Sequence, residues 1–184
     1  MKNWIQISAT VLLGLFLAGC QTLSKDECLV TNSADLGQKD GFAGYNKSRI
    51  ERHTKACAKA GITPDQTAYF TGYDVGIRQF CTPQNGLRFG RSGGNYENSC
   101  PADLHSGFSR PYLAAKSLFS AERALSSAEA RVERLTDRAF SPEVGPEERA
   151  SIRSELGDAR REMDRARFDV RRARLDYDEL ATAL

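Results

Sequence analysis

Ile152, Leu156, Ala159, Met163, Ala166, Val170, Ala173, Tyr177, Leu180 and Leu184 follow one another at alternating spacings of four and three residues. A helix turns once in 3.6 residues, so a 3.5-residue period keeps all ten on one slowly winding stripe, the seam of a coiled coil. Leu118, Ala121, Leu125, Ala128, Val132, Leu135 and Ala139 repeat the pattern upstream. Between the two runs, Ser141-Pro142-Glu143-Val144-Gly145-Pro146 carries two prolines and a glycine, which break a helix. The segments, about 32 and 38 residues long, span roughly 48 and 57 Å. Gly157 falls on the outer face and leaves the seam intact.

Charge gives the two segments an orientation. With Leu118 and Leu156 at heptad position a, the second helix has Arg153, Arg160, Arg167 and Arg174 at e, and Glu155, Glu162, Asp169 and Asp176 at g. The first has Glu122 and Glu129 at e, and Arg131 and Arg138 at g. Folding back about the turn sets like-lettered flanks against each other. The expected pairs are then Glu122–Arg167, Glu129–Arg160, Arg131–Glu155 and Arg138–Glu148, each exposed and worth about 0–1 kcal/mol. The same pattern suits a parallel homodimer of the second helix, in which acidic g faces basic e. The intramolecular hairpin has the higher effective concentration and is the expectation.

Upstream the composition changes. Beyond Gly107 the chain has only Gly145 and Gly157, has no cysteine, and carries fifteen basic and fifteen acidic residues from Phe108 onward. The fold expected is therefore mainly α: a small disulfide-stapled helical head over 36–107 with a glycine-rich loop, then a long antiparallel coiled-coil hairpin over 108–184 turning near 141–146. A net charge of +2, from 26 Lys+Arg against 24 Asp+Glu, excludes a strongly basic nucleic-acid binder and an acidic tail. The arginine clusters 160–161 and 171–174 are interrupted by acids at 158, 162, 164, 169, 176 and 178, so no continuous positive stripe forms.

The first residues are a targeting segment. Lys2 precedes an apolar run from Ile5 to Leu17, too short for a bilayer, which needs roughly 20 residues. Leu17-Ala18-Gly19-Cys20 resembles the lipobox of bacterial lipoprotein signal peptides. That resemblance implies cleavage of 1–19, lipidation of Cys20 and a lipid-anchored linker over 20–35. Two or more acyl chains hold a protein stably at a membrane. Gln21 is not the aspartate that resembles an inner-membrane retention signal, so the expected address is the outer membrane, facing the periplasm.

With Cys20 lipidated, Cys28, Cys57, Cys81 and Cys100 remain. An even number in an oxidising compartment suggests two disulfides, with three connectivities open. The sequential pairing Cys28–Cys57 and Cys81–Cys100 is the expectation, because each bridge then closes a local loop. Gaps of 28, 23 and 18 residues do not suit zinc, whose thiol ligands come at short spacings.

Within the head, Asp35 with Gln38 and Thr63 with Gln66 read as capping boxes, and Pro64 suits a first helical turn. Helices are expected over 36–60 and 64–81, with Gly61 as a left-handed terminator and a loop or irregular hairpin from Thr82 to Pro101. Gly41, Gly44, Gly72 and Gly76 would let helix backbones approach closely. Phe42-Ala43-Gly44-Tyr45 echoes Phe70-Thr71-Gly72-Tyr73, which reads as a packing motif rather than a duplication.

Asp40-Gly41 with Gly44, Cys57, Gly61-Ile62-Thr63-Pro64-Asp65, Tyr69, Gly72, Gly76-Ile77 and Phe80-Cys81 form an ordered set of landmarks. Gly90, Gly94, Tyr96, Cys100-Pro101, Phe108 and Tyr112 continue it. From Asp40 to about Lys116 the chain resembles a bacterial family known as domain of unknown function number 2799. Phe80 stands where the family prefers tyrosine, and Leu36 where tryptophan is expected. The resemblance implies a lipoprotein or secreted setting and supplies no catalytic residue.

No constellation of catalytic residues stands out. His53 and His105 belong to no metal set, and a Cys–His nucleophile would leave an odd number of thiols. Gly90-Arg91-Ser92-Gly93-Gly94 lacks the Lys-Ser/Thr pair of a phosphate loop. Asp74 and Glu97 have no sequence relation fixing the separation that glycan cleavage requires. The expected function is a non-enzymatic structural or protein-interaction lipoprotein of the bacterial envelope, without cofactor or metal and without a nucleic-acid partner. Its partners are the membrane, through the lipid, and an envelope protein, through the coiled coil; homo-oligomers are the alternative. A second reading makes the head a ligand-binding module for a glycan or small acidic molecule. Tyr45, Tyr69, Tyr73, Arg78 and Tyr96 are its candidate residues, with Arg88 close by.

Overall fold

The computed structural model describes residues 23–184; the signal segment and Cys20 lie outside them. The described residues form seven α-helices and no strand: α1 Lys25–Val30, α2 Ser33–Phe42, α3 Ile50–Ala58, α4 Gln66–Phe80, α5 Pro83–Arg91, α6 Ala102–Phe140 and α7 Pro146–Thr182. A single 3-10 turn, Lys47–Arg49, leads into α3. The chain is mainly helical, with disulfides Cys28–Cys57 and Cys81–Cys100. Their Cα atoms lie 5.5 and 5.7 Å apart, within the usual range for a bridge.

Three expected features of the head are corrected. The helix expected over 36–60 is two helices, because Gly44 adopts φ +77° and closes α2 by sending the Tyr45 amide back to the Asp40 carbonyl. That is the hydrogen-bond pattern of a left-handed helix end. The helix starts also move. Asn32 caps α2 by accepting from the amides of Ala34 and Asp35, and Asp65 caps α4 by accepting from Ala68. Third, the stretch Thr82–Pro101 is not simply a loop. Thr82 accepts from the Asn85 amide, Pro83 fills the first turn, and α5 runs to Arg91. Its glycines are helical because two of them face another helix.

Those glycines expose a repeat. In α2, Gly37 and Gly41 lie against α4, where a β-carbon would stand 1.9 Å from the Tyr69 carbonyl and 2.4 Å from that of Tyr73. In α5, Gly86 and Gly90 lie against α6, where a β-carbon would stand 2.5 Å from the Phe108 carbonyl and 2.4 Å from that of Tyr112. Each helix then ends at a left-handed glycine, Gly44 or Gly93, seated on the ring of Phe80 or Phe119. The hydroxyl of Tyr73 donates to the Tyr45 carbonyl, and that of Tyr112 donates to the Gly94 carbonyl. Each helix pair is closed by one disulfide between the stretches that precede its two helices. The head is two copies of one glycine-on-aromatic helix pair. The echo read from the sequence matched the wrong glycines, since Gly44 turns the chain while Gly72 lies inside α4 against the Ala34 carbonyl.

The division expected between residues 107 and 108 falls inside α6, which is continuous from Ala102 to Phe140. Its first part completes the head core through Phe108, Tyr112, Ala115 and Leu118, all buried. The remainder packs antiparallel with α7. Every seam residue from Ile152 to Leu180 is buried or half-buried, as are those from Leu118 to Ala139, and Leu135, Ile152 and Ala159 form a small core beside the turn. Of the four expected ion pairs, Arg138–Glu148 is present at 2.5 Å. The others are shifted by one heptad, to Arg131–Glu162, Glu129–Arg167 and Glu122–Arg174. Side chains lean toward the N-terminus of their own helix. In an antiparallel pair they meet best when both partners stand further toward their C-termini, and the shift achieves that.

Candidate functional site

Cys20 lies outside the described residues. The five ligand candidates are described, and they do not assemble into one surface. Tyr69 and Tyr73 are buried, since both fall on the α4 face that meets α2. Tyr96 lies against Phe108 and Tyr112, and its hydroxyl accepts from the Cys100 amide. Tyr45 is half-buried, with the Arg49 guanidinium 3.7 Å above its ring. Arg78 is exposed and donates to Asp103, which holds that carboxyl below its ordinary range. Glu97 accepts from the Asn46 amide, tying the loop before α6 to the turn before α3.

What the fold does assemble is a polar cluster centred on Asp40. The Tyr69 hydroxyl and the His53 Nε2–H both donate to Asp40 Oδ2 at 2.7 Å, and Arg49 Nε lies 3.3 Å from Oδ1. His53 is 2 % exposed and Tyr69 0 %, so this carboxylate is partnered within the core. Burial raises the Tyr69 pKa, and the bond to Asp40 adds to the effect, so the phenol remains a donor at any physiological pH. Burial likewise pushes Tyr73 up to about 12. His53 Nδ1 is buried without a hydrogen-bond partner among the described residues. The cluster joins three helices: Asp40 from α2, His53 from α3 and Tyr69 from α4. Helix α3 otherwise buries only Ile50 and Cys57.

The sequence reading passed over Asp40 as an active participant, taking it only as a landmark of the resemblance. A signal existed: Leu36, Gly37, Asp40 and Gly41 form the buried stripe of α2, and Ile50, His53 and Cys57 that of α3. A polar, hydrogen-bonding side chain on each of two apolar stripes points to a mutual partner.

The accessible feature of the head lies on another side. A cleft of about 650 Å³ opens between the C-terminal end of α2 and helix α5, lined by Phe42, Phe80, Phe89, Gln79, Asn85 and Arg88 among others. It is contiguous through Phe42 and Gln79 with a second cavity of about 300 Å³, which adds Asp35, Gln38 and Lys39. Among the described residues, no group of three or more His, Cys, Asp or Glu side chains is placed to hold a metal ion. No described helix is long and apolar enough to cross a membrane.

Residues 33–117 match the family described as Protein of unknown function (DUF2799). Over these residues the head is similar to that family. The match begins at the first residue of α2 and ends within α6, so it takes in both glycine-bearing helices and their partners but stops short of Phe119. Cys28, which staples α1 to α3, precedes it, and the rest of α6 with all of α7 follows it. No curated protein and no solved structure matches the chain.

Proposed function

We propose that this chain is an outer-membrane-anchored interaction lipoprotein. In this reading Cys20 carries the lipid, the DUF2799 head stands at the membrane, and the α6–α7 arm is a coiled-coil hairpin that meets a protein of the envelope. The observation that carries the reading is the outer face of α7. Phe168 and Leu175, one heptad apart and off the seam, are 58 % and 71 % exposed, flanked by Arg165, Arg171 and Arg172. Apolar side chains repeated at an outer position contribute nothing to the α6 contact, and an apolar centre with a rim of mixed charge, which Asp164, Asp178 and Glu179 complete, suits a protein partner.

The test is crosslinked co-purification of the lipidated protein from its own envelope, beside a variant carrying Phe168→Ser and Leu175→Ser. Point variants are preferable to truncation at Lys116, because Phe119 lies beyond that point and seats Gly93 in the head. A protein captured by the native chain and lost with the variant supports the reading; equal capture by both refutes the role of this face. Cys20→Ala should release the chain from the membrane fraction, and retention would refute the anchor.

A further inference from the structure

The head contains a cleft that its packing does not require. Six of its large aromatics, Tyr69, Tyr73, Phe80, Phe89, Phe108 and Tyr112, are buried or half-buried in the core, whereas Phe42 stands 59 % exposed where the 650 and 300 Å³ cavities meet. Together they fall within the size range of small-molecule sites. The contents of the cleft are unusual for an accidental groove.

The first element is an oriented cation. The Asn85 Nδ2–H donates to the Phe80 carbonyl at 2.7 Å, which fixes the amide. Asn85 Oδ1 then accepts from Arg88 Nε at 3.2 Å and from Arg88 Nη2 at 2.6 Å. Those bonds occupy one edge of the guanidinium and leave the opposite Nη1/Nη2 fork free, the geometry that receives a carboxylate in two parallel hydrogen bonds. The second element is a set of primary amides. Gln79, Gln84 and, in the smaller cavity, Gln38 have no side-chain hydrogen bond within the described residues, and each offers one acceptor and two donors. The third is the open ring of Phe42, shared by both cavities, an apolar plate for the C–H face of a sugar.

Paired hydroxyls match amides, a pyranose face matches a phenyl ring, and a single guanidinium matches a single carboxylate. A nucleotide or other polyphosphate would bring at least two negative charges to a cleft whose two cavities carry Arg88, Lys39 and Asp35, one positive charge in excess. We propose that the cleft between α2, α4 and α5 binds an acidic oligosaccharide of two or more rings, with its carboxylate on Arg88 and a ring stacked on Phe42. This site is independent of the reading of the arm. It also differs from the tyrosine surface expected from the sequence, whose members the fold buries or disperses.

The experiment uses the full disulfide-bonded chain and follows amide and Arg Nε resonances during titration. The probes are N-acetylglucosaminyl-N-acetylmuramic acid and the saturated hyaluronan disaccharide as acidic sugars, each with two rings and one carboxylate, chitobiose as a neutral sugar, and citrate and inorganic phosphate as anions without a ring. Saturable shifts at Phe42, Gln79, Gln84 and Arg88 with an acidic sugar are expected. Arg88→Gln and Phe42→Ala should each weaken binding about tenfold or more, while Arg110→Gln, at an exposed arginine outside the cleft, should leave it unchanged. Both cleft substitutions are at exposed side chains, and an unchanged melting temperature verifies the fold. No saturable shift with either acidic sugar up to about 10 mM overturns the proposal. Citrate or phosphate binding as tightly overturns the saccharide, and chitobiose binding equally well and unaffected by Arg88→Gln overturns the acidic group.

Discussion

The Tyr73 hydroxyl donates to the backbone carbonyl of Tyr45 at 2.8 Å, bridging α4 to the residue just past the left-handed end of α2. Tyr112 donates to the Gly94 carbonyl at 3.1 Å in the same place of the second helix pair. A phenol held in this way adds to a chain reversal made at a left-handed glycine and tied by Ser99 Oγ to the Gly44 carbonyl in one pair, and by Lys116 Nζ to the Gly93 and Gly94 carbonyls in the other. The two halves of the head thus share a joint that their sequences barely reveal.

The joint gives a paired test. Tyr73→Phe takes the hydroxyl donor from the Tyr45 carbonyl, whereas Tyr112→Phe removes the acceptor of the Tyr96 amide and leaves the Gly94 carbonyl its bond from Lys116, a loss of about 1–2 kcal/mol in each case. Denaturant titration should give a cost of this size for each variant. A large cost at one and none at the other would show that the two pairs are not energetic equivalents.

Close contact between helices should be intolerant of a single methyl. At Gly37 and Gly72 the added β-carbon would meet backbone carbonyl oxygens at 1.9 Å, and backbone cannot swing aside as a side chain can. Gly37→Ala or Gly72→Ala should force α2 and α4 apart and cost about 3 kcal/mol or more. Gly157→Ala, whose β-carbon would meet only the Arg161 guanidinium at 3.6 Å, should instead stabilise by about 0.5–1 kcal/mol. Chemical denaturation resolves both signs.

Asp40 accepts from two buried donors and faces a third polar group. Asp40→Ala would leave Tyr69, His53 and Arg49 facing an empty site, and a loss of about 3–5 kcal/mol is expected. The discriminating comparison is Tyr69→Phe with Asp40→Ala. Because they share one bond, their effects should fall short of additive in a double-mutant cycle, and strict additivity would deny the coupling.

Alkaline pH should unfold the head. Burial raises the Tyr69 pKa and pushes that of Tyr73 to about 12, whereas an unfolded tyrosine ionises near 10. The unfolded chain therefore holds fewer phenolic protons than the native one above pH 10. The stabilisation is fully present below that value and is lost as pH rises toward 12. Stability measured by rapid pH jumps should be flat in these groups to about pH 9.5 and then decline. Absorbance of tyrosinate should show Tyr73 ionising only with unfolding; early ionisation of a folded Tyr73 would contradict its burial.

The ion pairs of the arm distinguish the observed pairing from the one charge letters suggested. Glu122 meets Arg174 at 2.6 Å and also Arg91 of α5 at 2.7 Å. A double-mutant cycle on Glu122 and Arg174 should give a coupling of about 0.2–1 kcal/mol at low salt, because the pair is partly solvated. The cycle on Glu122 and Arg167 should give none. The reverse result would restore the unshifted pairing.

The arm was legible because its signal is periodic. The apolar residues spaced four and three apart lie on two long helices, and the proline-glycine break marks the turn observed over 141–145. The disulfide pairing was legible because each bridge closes a local loop. The head was harder. Its glycines read as loop or as generic close approach because the feature that makes Gly86 and Gly90 helical is another backbone, at Phe108 and Tyr112, about twenty residues away in sequence.

The amino-acid sequence by itself determined the properties set by local periodicity and covalent chemistry: the helical class, two long helices with a turn between them and the sequential cysteine pairing. It also carried the family landmarks of the head. Only the tertiary structure decided which side chains face each other. It sealed Tyr69 and Tyr73 beneath α2, gave Asp40 its partners, left Phe42 open beside Arg88, and moved three ion pairs by a heptad. The physical reason is degeneracy. A shift of seven residues preserves every heptad letter, and a tyrosine suits a core as well as a surface. The choice follows from which backbones can approach, a relation between segments distant in sequence.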